Sequence, residues 1–242
     1  MSAPLKTLAG AVHVLSQEAA FSELAARINA LPGPHPSVAM SGGSTPKAFF
    51  RWAVETRALT SDALARVDWH VSDERCVPLD SPDSNFGNLA RGLLDPLGIP
   101  SARRFPWPVD LPPAEAAAAY ERFWRVAGRE RVFDLCVLGM GDDSHIASLW
   151  PGCPLTAADG ASRFAATEWP GRGWRLTLTP SGLALCDRIL LLASGAAKAP
   201  ALRAVCADSA VDLARHPGQV LRGLAERVEW LVDEAAGEGL KG

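Results

Sequence analysis

The chain has 242 residues, 48% hydrophobic and 21% charged, a balance that is globular and excludes a disordered chain. Its 24 basic and 27 acidic residues give a formal net charge of −3 without any Lys/Arg run, so no nucleic-acid surface is expected, although a local cleft can still attract an anion. The five cysteines are scattered and form no C-x-x-C pair, which argues against a disulfide framework and against a zinc ribbon.

Met1–Lys6 lacks the apolar core of a signal peptide, and the apolar run Ile189–Ala193 with its flanks is too short to span a membrane. A protein of a reducing cytoplasm, with no membrane partner, is expected. Ser37–Ser41 reads as a strand ending in Gly42-Gly43, and Pro46 opens a helical stretch. Val67–Val71 reads as a second strand and Leu89–Leu97 as a short helix with a Pro stop. Glu115–Val126 is helical, with Tyr120, Phe123 and Trp124 on one face. Leu135–Leu138 is an apolar strand ending in Gly139, Leu176–Thr179 alternates, and Ile189–Ala193 is apolar throughout. Lys198–Ala207 reads as a helix and Glu229–Val232 as a last strand. Continuous apolar strands imply cover on both faces. The β–α alternation therefore predicts a three-layer α/β/α, Rossmann-like fold with a largely parallel central sheet, as one domain over residues 1–242. In such sheets ligands bind beyond the carboxyl ends of the strands, so the residues that follow each apolar run carry the functional expectation.

Four such places are polar. In Ser41–Lys47 a strand runs into Gly42 and Gly43, two hydroxyls (Ser44, Thr45) and Pro46. Glycines allow close backbone approach, and a helix N-terminus offers free N–H groups and a positive dipole end to an anion. A plain glycine turn with a hydroxyl cap would look the same. Ser72-Asp73-Glu74-Arg75 puts carboxylates and a guanidinium at a strand end; the bland alternative is a solvated charged turn. Gly139–Gly152 contains Gly141, Asp142, Asp143, Ser144 and His145 directly after an apolar strand. A His there can act as a general base, and a neighbouring carboxylate can orient it; otherwise it is a surface His near a capped helix start. Arg175 and Lys198 are basic residues expected to share the sheet edge of the Gly42-Gly43 loop. His35 and His216 each precede a Pro in polar connections and suggest no role. No His/Cys/Glu pattern at metal spacing and no G-x-S-x-G elbow is present.

Taken in order, Ser41–Pro46, Ser72–Pro78, Asp83–Phe86, Gly139–Gly152, Arg175–Thr179, Gly195–Lys198 and the terminal Trp230–Asp233 resemble the 6-phosphogluconolactonase family over almost the whole chain. The His-containing motif is the most specific part. The resemblance implies an α/β/α domain related to glucosamine-6-phosphate deaminases and isomerases. It implies hydrolysis of 6-phospho-D-glucono-1,5-lactone in the oxidative pentose phosphate pathway, with neither metal nor cofactor, by a cytoplasmic enzyme, here expected as a monomer. By resemblance, His145 matches the catalytic His, and Asp73 and Arg75 match the active-site strand-end pair. Gly43, Ser44, Thr45, Arg175 and Lys198 match positions at the phosphate end, beside Gly42, while Gly141, Asp142 and Asp143 belong to the His loop. Two departures stand out. Ser144 replaces the usual Gly before the His, strained if that position has φ > 0, and Trp150 replaces a usual Phe.

Two other functions compete. The related deaminases carry a Glu five positions after the His, where this chain has Trp150. A non-catalytic sugar-phosphate sensor would keep the anion pocket without turnover, but such regulators often add a DNA-binding segment, for which no length is expected before Ser37.

Overall fold

The computed structural model describes residues 3–128, 130–157 and 160–240. In chain order its elements are β1 (Leu5–Thr7), β2 (Gly10–Val14), α1 (Gln17–Asn29), β3 (Ser37–Met40), α2 (Ser44–Thr56), α3 (Ser61–Arg66), β4 (Asp68–Val71), β5 (Asp73–Arg75), α4 (Asn85–Leu89) and α5 (Pro113–Val126). They continue with β6 (Leu135–Gly139), β7 (Phe164–Trp169), β8 (Gly173–Leu178), α6 (Pro180–Ala184), β9 (Arg188–Ala193), α7 (Ala199–Cys206), β10 (Val228–Val232) and α8 (Glu234–Gly237).

The main sheet runs β1-β2-β10-β9-β6-β3-β4. Every pairing in it is parallel except β1 with β2. The four residues of β3 and of β4 and the first four of β6 are all buried, as a parallel sheet covered by helices on both faces requires. The α/β architecture expected from the apolar runs is therefore present. In register, Val38 faces both Leu135 and Trp69, and Leu138 faces Leu191, so the carboxyl ends of β3, β6 and β9 lie on one side of the sheet, β3 ending about two residues earlier than β6.

Several expected elements differ. Ahead of Ser37 the structure has β1, β2 and α1; Ser16 caps α1, and Ala20, Phe21, Leu24, Ala25 and Ile28 are its buried stripe. The helix expected at Leu89–Leu97 instead starts at Asn85, capped by Ser84, and widens into a π-helical turn over Ala90–Leu94. The helix expected at Lys198–Ala207 is α7 (Ala199–Cys206), with Lys198 as its N-cap at the close of a 3₁₀ turn (Ala196–Lys198). A second, antiparallel sheet, β5-β8-β7, was not expected at all. It takes the charged segment Asp73–Arg75 as an edge strand, paired with Arg175–Thr177.

Candidate active site

The β3–α2 turn meets the physical demands of an anion site. Gly43 is the N-cap of α2 at φ 105°, a conformation that L side chains rarely adopt. Helices α1, α3, α4, α6 and α8 are each capped by a Ser, Thr or Asp side chain. Helix α2 has no capping side chain and no acidic residue in its first turn. As at α5 and α7, no side chain closes its positive end, which is thus available to an anion.

Ser72 directly follows the neighbouring parallel strand β4, and the next three residues cross into the second sheet with distinct fates. Asp73 is buried and accepts hydrogen bonds from Ser148 Oγ at 2.7 Å and Ser72 Oγ at 3.2 Å. Glu74 is wholly buried; its carboxylate accepts from the backbone N–H groups of Arg75, Asn85 and Phe86 (2.6, 2.7 and 2.8 Å) and from Ser84 Oγ at 3.0 Å. Burial pushes its pKa up, against those donors. Glu74 is therefore a structural carboxylate that fixes the start of α4 to β5. Arg75 is half-buried, and its guanidinium donates to the carbonyl of Asp83.

From Met140 to Gly152, past β6, the chain makes tight turns and no helix. Asp143 Oδ1 accepts from His145 Nδ1 at 2.6 Å and from the His145 backbone N–H at 3.1 Å. The ring hydrogen bond holds the Asp143 carboxyl down at about 2. With the imidazole side chain 28% exposed, Nε2 is the nitrogen left for a ligand; among the described residues none hydrogen-bonds it. A Cβ at Gly141 would collide with His145 Nδ1 and Asp143 Oδ1, so that close approach needs glycine. Ser144 sits at φ 68°, the left-handed conformation that its replacement of glycine made a concern. Asp142 does not orient His145; it pairs with Lys198 at 2.6 Å. Trp169 meets the imidazole edge-on at 5.0 Å, stacks on Trp150 at 5.3 Å, and carries the Arg172 guanidinium 4.7 Å from its ring centre.

These pieces converge on one open cleft of about 230 Å³. Gly42, Gly43, Ser44 and Thr45 form one wall, Asp73, Arg75 and Arg175 another, and Gly141, His145 and Lys198 a third. Every candidate residue lines it except Asp142 and Asp143, which stand behind Lys198 and His145. Arg175 lies opposite Arg75 in the β5–β8 register, on the second sheet and not on the main sheet's edge. Burial and the Arg75 charge push its pKa down. Four cations (Arg75, Arg172, Arg175, Lys198) thus surround a cleft in a protein of net negative charge, a local field suited to an anion. Among the described residues no group of three or more His, Cys, Asp or Glu side chains is placed to hold a metal ion, and no helix is long and apolar enough to cross a membrane.

With that geometry in hand, residues 13–230 match the family described as glucosamine-6-phosphate isomerases/6-phosphogluconolactonase. The chain belongs to this family. A 6-phosphogluconolactonase of Synechocystis sp. is 36% identical over 214 residues, covering 85% of each chain. The 6-phosphogluconolactonase structure from Trypanosoma cruzi superposes with a TM-score of 0.81 at 25% identity, covering 98% of both chains. A monomeric glucosamine-6-phosphate deaminase shares the fold as well, at a TM-score of 0.76 and 21% identity, covering 94% of this chain and 98% of that one. The fold is therefore common to both branches of the family, and the side chains in the cleft must separate them. Trp150, which stands where the resemblance to the deaminases would place a Glu, is buried and stacked on Trp169.

Several residues of the site carried no expectation. Ser148 holds Asp73; Asn85 donates from Nδ2 to the Asp73 carbonyl at 2.8 Å; Trp169 and Arg172 close the His145 side. Asp233 accepts the Gly195 N–H at 2.9 Å and so places the turn that carries Lys198. Arg172 was signalled only by its place in Pro170-Gly171-Arg172-Gly173, a turn sequence that a hairpin would need.

Proposed function

We propose that the protein hydrolyses 6-phospho-D-glucono-1,5-lactone to 6-phosphogluconate, with His145 as the group that activates water. The observation that carries this is the Asp143–His145 bond: Nδ1 is committed to the carboxylate, which leaves Nε2 as the basic nitrogen at the cleft. Asp143 then orients the ring and stabilises the imidazolium that forms. As water oxygen bonds to the lactone carbonyl carbon, Nε2 takes its proton, help worth about 10²–10⁴-fold. Charge moves onto the carbonyl oxygen, where Arg75 or the N–H groups near Gly141 receive it, roughly 3–4 kcal/mol per well-placed donor. The bond from that carbon to the ring oxygen breaks, and the imidazolium returns its proton to that oxygen, leaving an open-chain acid.

The phosphate is held remotely. The uncapped start of α2 at Ser44 and Thr45, with Arg175 and Lys198, binds it, and that binding energy fixes the carbonyl against the water. Both carboxylate oxygens of Asp73 already receive serine hydroxyls, so its remaining lone pairs serve a sugar hydroxyl and not proton transfer.

The test is turnover of freshly made 6-phosphogluconolactone, followed by acid release, beside ammonia release from glucosamine 6-phosphate. Lactone hydrolysis that falls by about 10²-fold or more in His145→Ala, with KM within a few-fold, is expected. Ammonia release without lactone hydrolysis would move the chain to the deaminase branch, and phosphate-ester binding without either reaction would make it a sensor.

A further inference from the structure

His216 lies 71 residues beyond His145 in sequence, in a connection that suggests no role. In the fold its Nδ1 is 3.0 Å from Ser144 Oγ, and Ser144 is buried. Two further bonds join the same segments. The Gly218 N–H donates to the Ser144 carbonyl at 3.0 Å, and the Gly152 N–H donates to the Ala214 carbonyl at 2.6 Å. A Cβ at Gly218 would lie 2.9 Å from the Ser144 oxygen, so this approach is as close as backbone allows. The connection is itself anchored. Buried Gln219 donates to the Ala204 carbonyl on α7 at 2.8 Å and to the Ala210 carbonyl at 3.0 Å.

What this anchors is the residue that aims the imidazole. Ser144 is left-handed, at φ 68°, where a side chain is disfavoured and glycine is not. The turn around it closes through Ser144 N–H to the Gly141 carbonyl at 3.1 Å and Gly141 N–H to the His145 carbonyl at 2.8 Å. If Ser144 relaxed to a right-handed conformation, both bonds and the direction of His145 would change together. The Cβ that glycine lacks is the cause of the strain, and the hydroxyl it carries is the handle by which the turn is held.

We propose that His216 is a positioning residue for the hydrolytic reaction. Its hydrogen bond to Ser144 holds the left-handed turn that points His145 Nε2 into the cleft, and it replaces the conformational freedom that a glycine would bring to that position. This rests on the role proposed for His145.

The experiment is a double-mutant cycle on lactone hydrolysis, well below the unfolding temperature, with amide exchange of residues 141–149 measured on the same four proteins and on His216→Asn. His216→Ala is expected to lower kcat by about tenfold, leave KM within twofold and speed exchange in the segment. His216→Asn, whose amide reaches the place of Nδ1, should restore both to within twofold. In the Ser144→Gly background, adding His216→Ala should change neither kcat nor exchange by more than twofold. An equal loss in both backgrounds, or wild-type kcat and exchange in His216→Ala, overturns the proposal. A drop in melting temperature with kcat intact would likewise overturn it, by reducing the bond to packing. If the wild-type protein hydrolyses no lactone, the functional reading fails, yet the exchange cycle still decides whether His216 holds the turn.

Discussion

Asp143 binds His145 twice, through the ring Nδ1 at 2.6 Å and through the backbone N–H at 3.1 Å. One carboxylate oxygen thereby fixes both the place of the residue and the tautomer of its ring. Asp143→Asn keeps the shape and removes the charge that stabilises an imidazolium. Turnover is expected to fall by about 10²–10⁴-fold with KM little changed, as when the orienting carboxylate of a catalytic His is neutralised. Steady-state kinetics of the variant within threefold of wild type would remove Asp143 from the mechanism.

The same pair sets a pH signature for stability. Folding holds the Asp143 carboxyl at about 2, below its ordinary value near 3.9. The unfolded chain therefore binds the proton first on acidification. The stabilisation is fully present above the ordinary value and is lost as pH falls through about 2. Asp143 is partly exposed, so the effect is small, but its sign is definite. The stability gap between wild type and Asp143→Asn, from urea unfolding at several pH values, should be constant above about pH 5 and shrink between pH 4 and 2. A gap that widens on acidification would contradict the assignment.

Glu74 offers a test of structure apart from chemistry. Its two oxygens accept four hydrogen bonds from β5, α4 and the α4 cap, and it has no exposed surface. In Glu74→Gln the NH₂ group must face at least one backbone N–H whichever way the amide turns, since of the four donors only the Ser84 hydroxyl can rotate to accept. Each buried donor left unpaired costs about 1–3 kcal/mol, so a loss of roughly 2–4 kcal/mol is expected in denaturant unfolding. Equal stability would mean that the donors find water in its place.

How much of this was legible depended on what kind of signal each residue carries. Strands β3, β6 and β9 announce themselves because a parallel strand covered on both faces is apolar along nearly its whole length, here Val38–Met40, Leu135–Leu138 and Ile189–Ala193. The glycine turn and the His loop follow such strands, so the rule that ligands gather at strand ends located them. Strand β5 could not be read. Asp73-Glu74-Arg75 has no apolar residue, and its pairing with β8 lies about a hundred residues away in the chain. Glu74 looked like one of three exposed charges because its burial depends on α4 curling back over it. His216 was opaque for the same reason: its partner, Ser144, is near it only after folding. Helix α1 does carry a signal in the sequence, a Ser16 cap before an apolar stripe.

Arg75 and Arg175 face each other across β5 and β8, and both line the cleft. Like charges held together cost stability that an anion between them would return. Inorganic phosphate should therefore raise the melting temperature of the wild-type protein through binding linkage. Arg175→Leu should melt higher than wild type without phosphate and lose most of the phosphate-induced rise. A phosphate response equal to wild type in a scanning calorimeter would place the anion elsewhere in the cleft.

Lys198 is engaged by Asp142 at 2.6 Å, with the lysine side chain 25% and the aspartate side chain 65% exposed. An exposed pair of this kind is worth at most about 1 kcal/mol, so its loss should scarcely alter folding. It does compete with any ligand anion for the ammonium group. Removing the competitor in Asp142→Asn frees that charge for phosphate, whereas Lys198→Ala deletes it. The two variants should therefore move in opposite directions. Inhibition by inorganic phosphate should tighten by about two- to fivefold in Asp142→Asn, the fold-change equivalent of up to about 1 kcal/mol, and weaken by tenfold or more in Lys198→Ala. Raising the salt should erase the first effect before the second, because the exposed pair is screened more readily than a lysine closed over its ligand. Weaker phosphate inhibition in both variants would instead mean that Asp142 serves to steer Lys198 into the cleft, and that the pair works as a unit.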